Sequence, residues 1–266
     1  MLLDRAAAAR WTALALTALL SASTPAATDE RCAIEVAIPG AYVSACMADA
    51  VRQFEFEHVG TLLIEQGAVG PGSTGAAVWR AGEFLASTLA ANPSLVRGKR
   101  VIELGCGTGL CGLVAARLGA SYVLLTDGSD SVAQRAKRNI ELNRDSDGRG
   151  LALGENMISA RKLMWGALLE EELRGKFDVV LASDVLYFTG AWRPLGETVH
   201  ELLTASGHLI ISEAGHDHLP ASAALAGFRS VAEPCGLRFD EILEMESRAD
   251  SDGGDPAAIA IASPAW

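Results

Sequence analysis

The densest group of chemically useful residues is Val101-Ile102-Glu103-Leu104-Gly105-Cys106-Gly107-Thr108-Gly109, an apolar run that ends in alternate glycines and enters a helix-forming stretch at Leu110. Glycines at the carboxyl end of a strand let the backbone approach a ligand closely, at the place where open α/β sheets bind theirs. The dinucleotide fingerprint G-x-G-x-x-G would put its third glycine at position 110, which is Leu110 here, so the pattern is the more compact G-x-G-x-G. A carboxylate closes the next apolar run at Asp127, 22 residues after Gly105. That is close to the ~20-residue offset at which an acid meets a ribose diol in doubly wound folds. Asp127-Gly128 also reads as a polar turn, with Ser129 and Asp130 capping the helix that follows. Asp184 comes just after a third apolar run, and a carboxylate at the carboxyl end of a central strand faces the ligand crevice.

The elements that must position these residues are legible as alternating runs. Residues 100–104, 122–126, 177–182 and 208–212 are short and apolar, as suits strands buried on both faces of a parallel sheet. Residues 110–118, 129–143 and 192–203 have helical spacing, and the alternation predicts a doubly wound α/β domain. The last third departs from this rhythm: 228–235 reads as helix, then 237–245 and 257–263 as two strands joined by the polar loop 248–256. This predicts an antiparallel hairpin appended to the sheet. The strand expected within 151–162 has an uncertain register.

The chain has 266 residues, 50% of them hydrophobic and 21% charged, which is a globular composition long enough for one large α/β domain. With 22 Lys+Arg against 33 Asp+Glu the formal charge is −11, which argues against a nucleic-acid backbone as partner and favours a neutral or basic one. Cys32, Cys46, Cys106, Cys111 and Cys235 include no C-x-x-C pair and read as reduced core residues. Residues 1–28 have the outline of a leader, with Arg5 and Arg10 before an apolar stretch. An organelle-targeting leader or a disordered, alanine-rich extension fits them nearly as well as a signal peptide does. The uncharged stretch 11–27 falls short of the roughly 20 strongly apolar residues that span a bilayer, so no stable membrane insertion is expected. The expected organisation is leader or extension 1–28, an N-terminal segment 29–98, and a core 99–266. Oligomeric state is not legible.

The compact glycine motif resembles motif I of the S-adenosylmethionine-dependent methyltransferases. Together with Thr74-Gly75-Ala76-Ala77-Val78-Trp79, Arg138-Asn139-Ile140-Glu141-Leu142-Asn143, Trp165-Gly166 and Ser183-Asp184-Val185-Leu186-Tyr187-Phe188, it resembles the seven-β-strand protein-lysine methyltransferases, methyltransferase family 16. The similarity runs from about Phe54 to Ile261. It implies a class I methyltransferase fold, a Rossmann-like seven-stranded and mostly parallel sheet, with S-adenosyl-L-methionine as cofactor and a lysine-presenting, non-histone protein as substrate.

By that resemblance Trp79 lies against the cofactor pocket, Glu103, Gly105 and Gly107 surround the amino-acid end of the cofactor, and Asp127 takes its ribose. Trp165 lies along the adenine, Ser183 and Asp184 line the passage to the acceptor, and Tyr187 joins Asp184 as a catalytic candidate. Read without it, Trp79 and Trp165 are more readily core residues than ligand platforms. Tyr187 could pack beneath the next helix, and Asn139 and Asn143 read as helix surface or helix end. The chain departs from the family at Met164, where an acidic residue usually precedes the Trp-Gly pair. A small-molecule methyltransferase and a non-catalytic module are the competing readings. A cytoplasmic or nuclear location is expected, with an organelle or secretory route left open by the leader.

Overall fold

The computed structural model describes residues 35–38, 41–44, 51–69, 73–144, 157–215, 219–244 and 257–265. The leader, Cys32, Cys46 and the polar loop 248–256 lie outside them. Two antiparallel pairs come first, β1 (Glu35–Ile38) with β2 (Ala41–Ser44) and β3 (Val51–Phe56) with β4 (Gly60–Glu65). Then follow α1 (Arg80–Ala91), β5 (Arg100–Leu104), α2 (Leu110–Arg117), β6 (Tyr122–Asp127), α3 (Asp130–Leu142), β7 (Ile158–Lys162), β8 (Phe177–Ser183), α4 (Trp192–Leu202), β9 (Leu203–Glu213), α5 (Ala221–Ala232), β10 (Leu237–Glu244) and β11 (Ala258–Pro264).

Seven strands form one sheet in the order β10-β11-β9-β8-β5-β6-β7. Strands β7, β6, β5, β8 and β9 are mutually parallel, while β11 runs antiparallel to both β9 and β10. The chain leaves β5 toward β6 and β7, then returns to lay β8 on the opposite side of β5. Strand order therefore reverses beside β5, and the crevice outside its carboxyl end is where such sheets bind ligands.

Period-two alternation with apolar residues on both faces builds two cores. Val101, Val123, Leu125, Val179, Leu181 and Ile210 face one cluster, with Leu85 and Leu89 of α1, Leu113 of α2 and Ile140 of α3. Their neighbours Ile102, Leu124, Val180, Leu209 and Ile211 face the other, with Leu195 and Val199 of α4 and Phe228 of α5. Every residue from Leu110 to Arg117 is buried, so α2 is enclosed on all sides.

The sequence boundaries shift at two places. The last helix begins at Ala221, seven residues before Phe228, while Cys235 lies in a separate 3-10 turn. Pro220 is the N-cap residue, and Ala221, Ala224, Leu225, Phe228 and Ala232 form the buried stripe that the alanine-rich start obscured. Strand β9 starts at Leu203, not His208, because α4 passes straight into it and Leu203 pairs with Phe177.

The β3–β4 hairpin was not legible as a sheet. Phe54, Phe56, Leu62 and Ile64 alternate inward to join the first core, with the two Phe rings stacked at 6.3 Å. Its outer edge is met by Asn139 and Asn143, which the structure buries; Asn143 also caps α3. The Leu63 amide donates to Asn143 Oδ1 at 2.9 Å and Asn143 Nδ2 donates to the Leu63 carbonyl at 2.7 Å. Asn139 does the same for Glu65, its Oδ1 accepting at 2.7 Å and its Nδ2 donating at 3.1 Å. Residues four apart on a helix rise about 6 Å, and alternate residues of a strand advance only slightly farther, about 6.6 Å. Two asparagine amides therefore stand in for a neighbouring strand along β4.

Candidate active site

The turn after β5 depends on backbone geometry that only glycine adopts cheaply. Gly105, Gly107 and Gly109 have φ of +65°, +53° and +87°. A Cβ at Gly105 would stand 2.8 Å from Val185 Cγ1 and 3.3 Å from Trp165 Cζ2, and one at Gly107 would stand 3.1 Å from the Gly75 carbonyl oxygen. The loop is thus enclosed by the 73–79 segment and by the turn after β8. Gly109 is the N-cap of α2, so the loop feeds directly into a helix N-terminus.

Glu103 lies in β5, two residues before this loop. Its carboxylate is buried and accepts the Gly112 amide of α2 at 2.8 Å, while its carbonyl accepts the Thr126 hydroxyl at 2.7 Å. Burial pushes its pKa up to about 8, against the pull of the Gly112 amide. Cys106 and Cys111 are buried beside it, and desolvation, with Glu103 nearby, pushes both thiols well up. A thiol in such surroundings is a weak nucleophile.

Asp127 lies opposite the loop. Its Oδ2 accepts the Gly107 amide at 3.3 Å and its Oδ1 accepts the Ser129 amide at 2.9 Å, so the carboxylate orders both the glycine turn and the start of α3. Burial raises its pKa despite these amides. Each oxygen keeps acceptor capacity for a diol. Gly75 lies over this pair: a Cβ there would stand 3.1 Å from Gly107 Cα and 3.4 Å from Asp127 Oδ2. Trp79 is half-buried at the N-cap of α1 and donates from Nε1 to the Thr74 carbonyl at 2.8 Å, which closes the 74–79 loop above Gly107.

Trp165 packs its six-membered ring against Gly105, and its indole Nε1 is buried without a hydrogen bond. Gly166 donates its amide to Thr198 Oγ1 at 2.9 Å, fixing the Trp-Gly pair to α4. Met164 is half exposed and approaches Gly128, so a thioether stands where the family usually has an acid.

Strand β8 ends at Ser183, whose hydroxyl is 4.0 Å from Cys111 Sγ. Asp184 follows in the left-handed region at φ +55°, its amide donating to the Ser212 carbonyl at 3.0 Å. Tyr187 does not pack beneath the next helix: it is 60% exposed, with its hydroxyl 3.5 Å from Thr74 Oγ1. That contact joins the turn after β8 to the 73–79 segment across the mouth of the site. Glu213, at the end of β9, was not singled out from the sequence. It is fully buried, and its Oε1 accepts the amides of Val185 and Leu186 at 2.8 and 3.0 Å. An acid directly after a buried apolar strand, the pattern that marked Asp184, was the signal available.

The sequence profile described as lysine methyltransferase matches residues 59–217, which takes in β4 through β9 and every site residue above. The chain belongs to the lysine methyltransferase family. A calmodulin-lysine N-methyltransferase of Arabidopsis thaliana is 41% identical over 128 residues, 48% of this chain and 40% of that protein. Protein N-lysine methyltransferase METTL21A of Mus musculus is 37% identical over 134 residues, 50% of this chain and 55% of that protein. The chain thus spans about half the length of the curated relatives it matches. Among solved structures the cyclase SpnF aligns with TM-score 0.53 at 17% identity, covering 71% of this chain and 84% of that one, a likeness of fold alone.

S-adenosyl-L-methionine is the methyl donor the family implies, and the residues present fit it. The positive-φ glycine loop is a cradle that Cβ atoms would fill. Asp127 offers acceptors beside it, and Trp165 presents a ring and an unpartnered buried N–H. Among the described residues, no helix is long and apolar enough to cross a membrane.

Proposed function

We propose that this protein is an S-adenosyl-L-methionine-dependent protein-lysine N-methyltransferase acting on a non-histone protein. The observation that carries the reading is the meeting, at the carboxyl ends of β5, β6 and β8, of the glycine loop, Asp127 and the Asp184 turn in a member of this family. Gly105 and Gly107 would hold the amino-acid end of the cofactor by backbone approach, with Glu103 supporting the loop from behind. Asp127 would hold the ribose hydroxyls, Trp165 the adenine and Trp79 the loop that covers them.

The cofactor supplies an electrophilic methyl group on a sulfonium. The protein's task is then to align a nucleophile and keep it neutral, since a lysine amine has a pKa near 10.4 in the open. The lysine gives its proton to water, and Asp184 orients the neutral amine and stabilises the positive charge its nitrogen gains on taking the methyl group, while the Tyr187 hydroxyl and the backbone at Ser183 supply further polar contacts. Holding donor and acceptor in one line contributes much of the acceleration. The net charge of −11 favours a lysine presented within a basic segment.

The test is incubation with tritiated S-adenosyl-L-methionine and total protein from the source organism, with calmodulin as a second acceptor because a relative is named for it. A labelled protein band that yields methyl-lysine on hydrolysis supports the reading. Label in small molecules alone supports a small-molecule methyltransferase, and no transfer by folded protein supports a binding module.

A further inference from the structure

We propose that Glu213 is a positioning residue of the transfer site, which through one carboxyl oxygen sets the turn that presents Asp184 to the acceptor amine. The proposal rests on the lysine methyltransferase reading above. The 183–186 turn leaves β8 with Asp184 in a left-handed conformation, φ +55°, a region that Asp tolerates better than most side chains, so that the bonds around the turn fix which conformation it keeps. Those bonds come from the end of β9. The Ser212 carbonyl accepts the Asp184 amide at 3.0 Å, and Glu213 Oε1 accepts the next two amides, Val185 and Leu186, at 2.8 and 3.0 Å. Ser212 is itself fixed, its hydroxyl donating to the Ala81 carbonyl of α1 at 2.9 Å. Two successive residues of β9 thus hold three successive amides of the turn, including that of the residue proposed to meet the substrate.

Glu213 suits this role and not that of a base. It is fully buried, its Oε2 is buried without a hydrogen bond, and burial with Asp184 beside it pushes its carboxyl well above the usual carboxylate range. Its Oε1, bonded to two successive backbone amides, is committed to the turn. Val185, held by the same oxygen, also touches the place where a Gly105 Cβ would fall, so the turn is keyed to the glycine loop as well.

Two measurements test this on the full chain. The first is amide hydrogen exchange at Val185 and Leu186, which needs no acceptor. In Glu213→Ala both amides should exchange at least about tenfold faster, and in Glu213→Gln, which keeps the acceptor oxygen, near the wild-type rate. The second is transfer of tritiated methyl to the most strongly labelled protein from the extract, after its purification. Glu213→Ala should lower kcat by about 100-fold, the scale on which a misplaced group costs rate. Its S-adenosyl-L-methionine Kd should stay within about threefold, and Glu213→Gln should restore kcat to within about fivefold. If Glu213→Ala does not fold, Glu213→Asp, one methylene short, should give the same split. Equal loss of kcat in the Gln and Ala variants, or unchanged exchange in Glu213→Ala, would overturn the proposal. A wild-type protein that labels no lysine overturns the activity reading instead, and the exchange result still decides the role of Glu213 in the turn.

Discussion

At the scale of single residues, the glycine loop and Asp184 make separable demands. Gly105 meets Val185 and Trp165 so closely that even a methyl group must displace them, and its φ of +65° strains any other residue. Gly105→Arg should therefore abolish S-adenosyl-L-methionine binding in a folded protein, read by calorimetry; binding at wild-type affinity would sink the assignment of the loop. Asp184→Asn keeps a residue type that tolerates positive φ and removes the charge. It should lower kcat by about 100-fold while leaving cofactor affinity within about threefold. Glu103 makes a different prediction because its carboxyl is raised from 4.5 to about 8. It holds a proton more tightly folded than unfolded, so its own contribution to stability is fully present below pH 4.5 and is lost as pH rises toward 8, with a slope of up to about 1.4 kcal/mol per pH unit. Glu103→Gln removes that term, and its melting temperature should rise relative to wild type between pH 6 and about 8 in the cofactor-free protein. A constant difference across that range would contradict the buried, neutral carboxyl.

At the scale of elements, the helix α3 carries an unexpected duty. Asn139 serves both backbone groups of Glu65 and also donates to the Thr108 carbonyl at 2.9 Å, so it links the hairpin, the glycine loop and α3. Asn139→Ala removes the partner of three backbone groups, one buried at Thr108 and two half-buried at Glu65, and should cost about 2–3 kcal/mol in urea denaturation. A change within about 0.5 kcal/mol would mean that the hairpin finds other partners. The sheet strands and their order of occurrence were legible because runs such as 177–182 are apolar on both faces and too short for helices. The hairpin was not, because Val51–Phe56 is broken by Arg52, Gln53 and Glu55, Gly60–Glu65 holds only three apolar residues in a row, and the turn between them lacks an Asn-Gly or Asp-Gly signal. With the hairpin unseen, Asn139 had no visible partner and read as surface. Glu213 escaped for a related reason: its partners are backbone amides 27 and 28 residues away, which side-chain types do not reveal. Asp127 was legible because its offset from Gly105 is fixed by one strand, one turn and one helix.

At the scale of the whole molecule, one sheet with a strand-order reversal beside β5 gathers loops from distant parts of the chain at a single edge. Thr74, Gly107, Asp127, Trp165 and Tyr187 span more than a hundred residues of sequence, yet the 73–79 segment touches the glycine loop and the turn after β8. The family match fixes the lineage of residues 59–217, while the cyclase of like fold shows that the sheet alone does not fix the chemistry. The central claim is that this edge transfers a methyl group to a lysine side chain. The most direct measurement is mass spectrometry of protein acceptors after incubation with deuterated-methyl S-adenosyl-L-methionine, comparing wild type with Asp184→Asn. The account predicts deuterated methyl groups on lysine Nε in the wild-type reaction and their loss in the variant. Folded, cofactor-binding wild-type protein that leaves every lysine unlabelled, or an Asp184→Asn protein that labels as well as wild type, would contradict it.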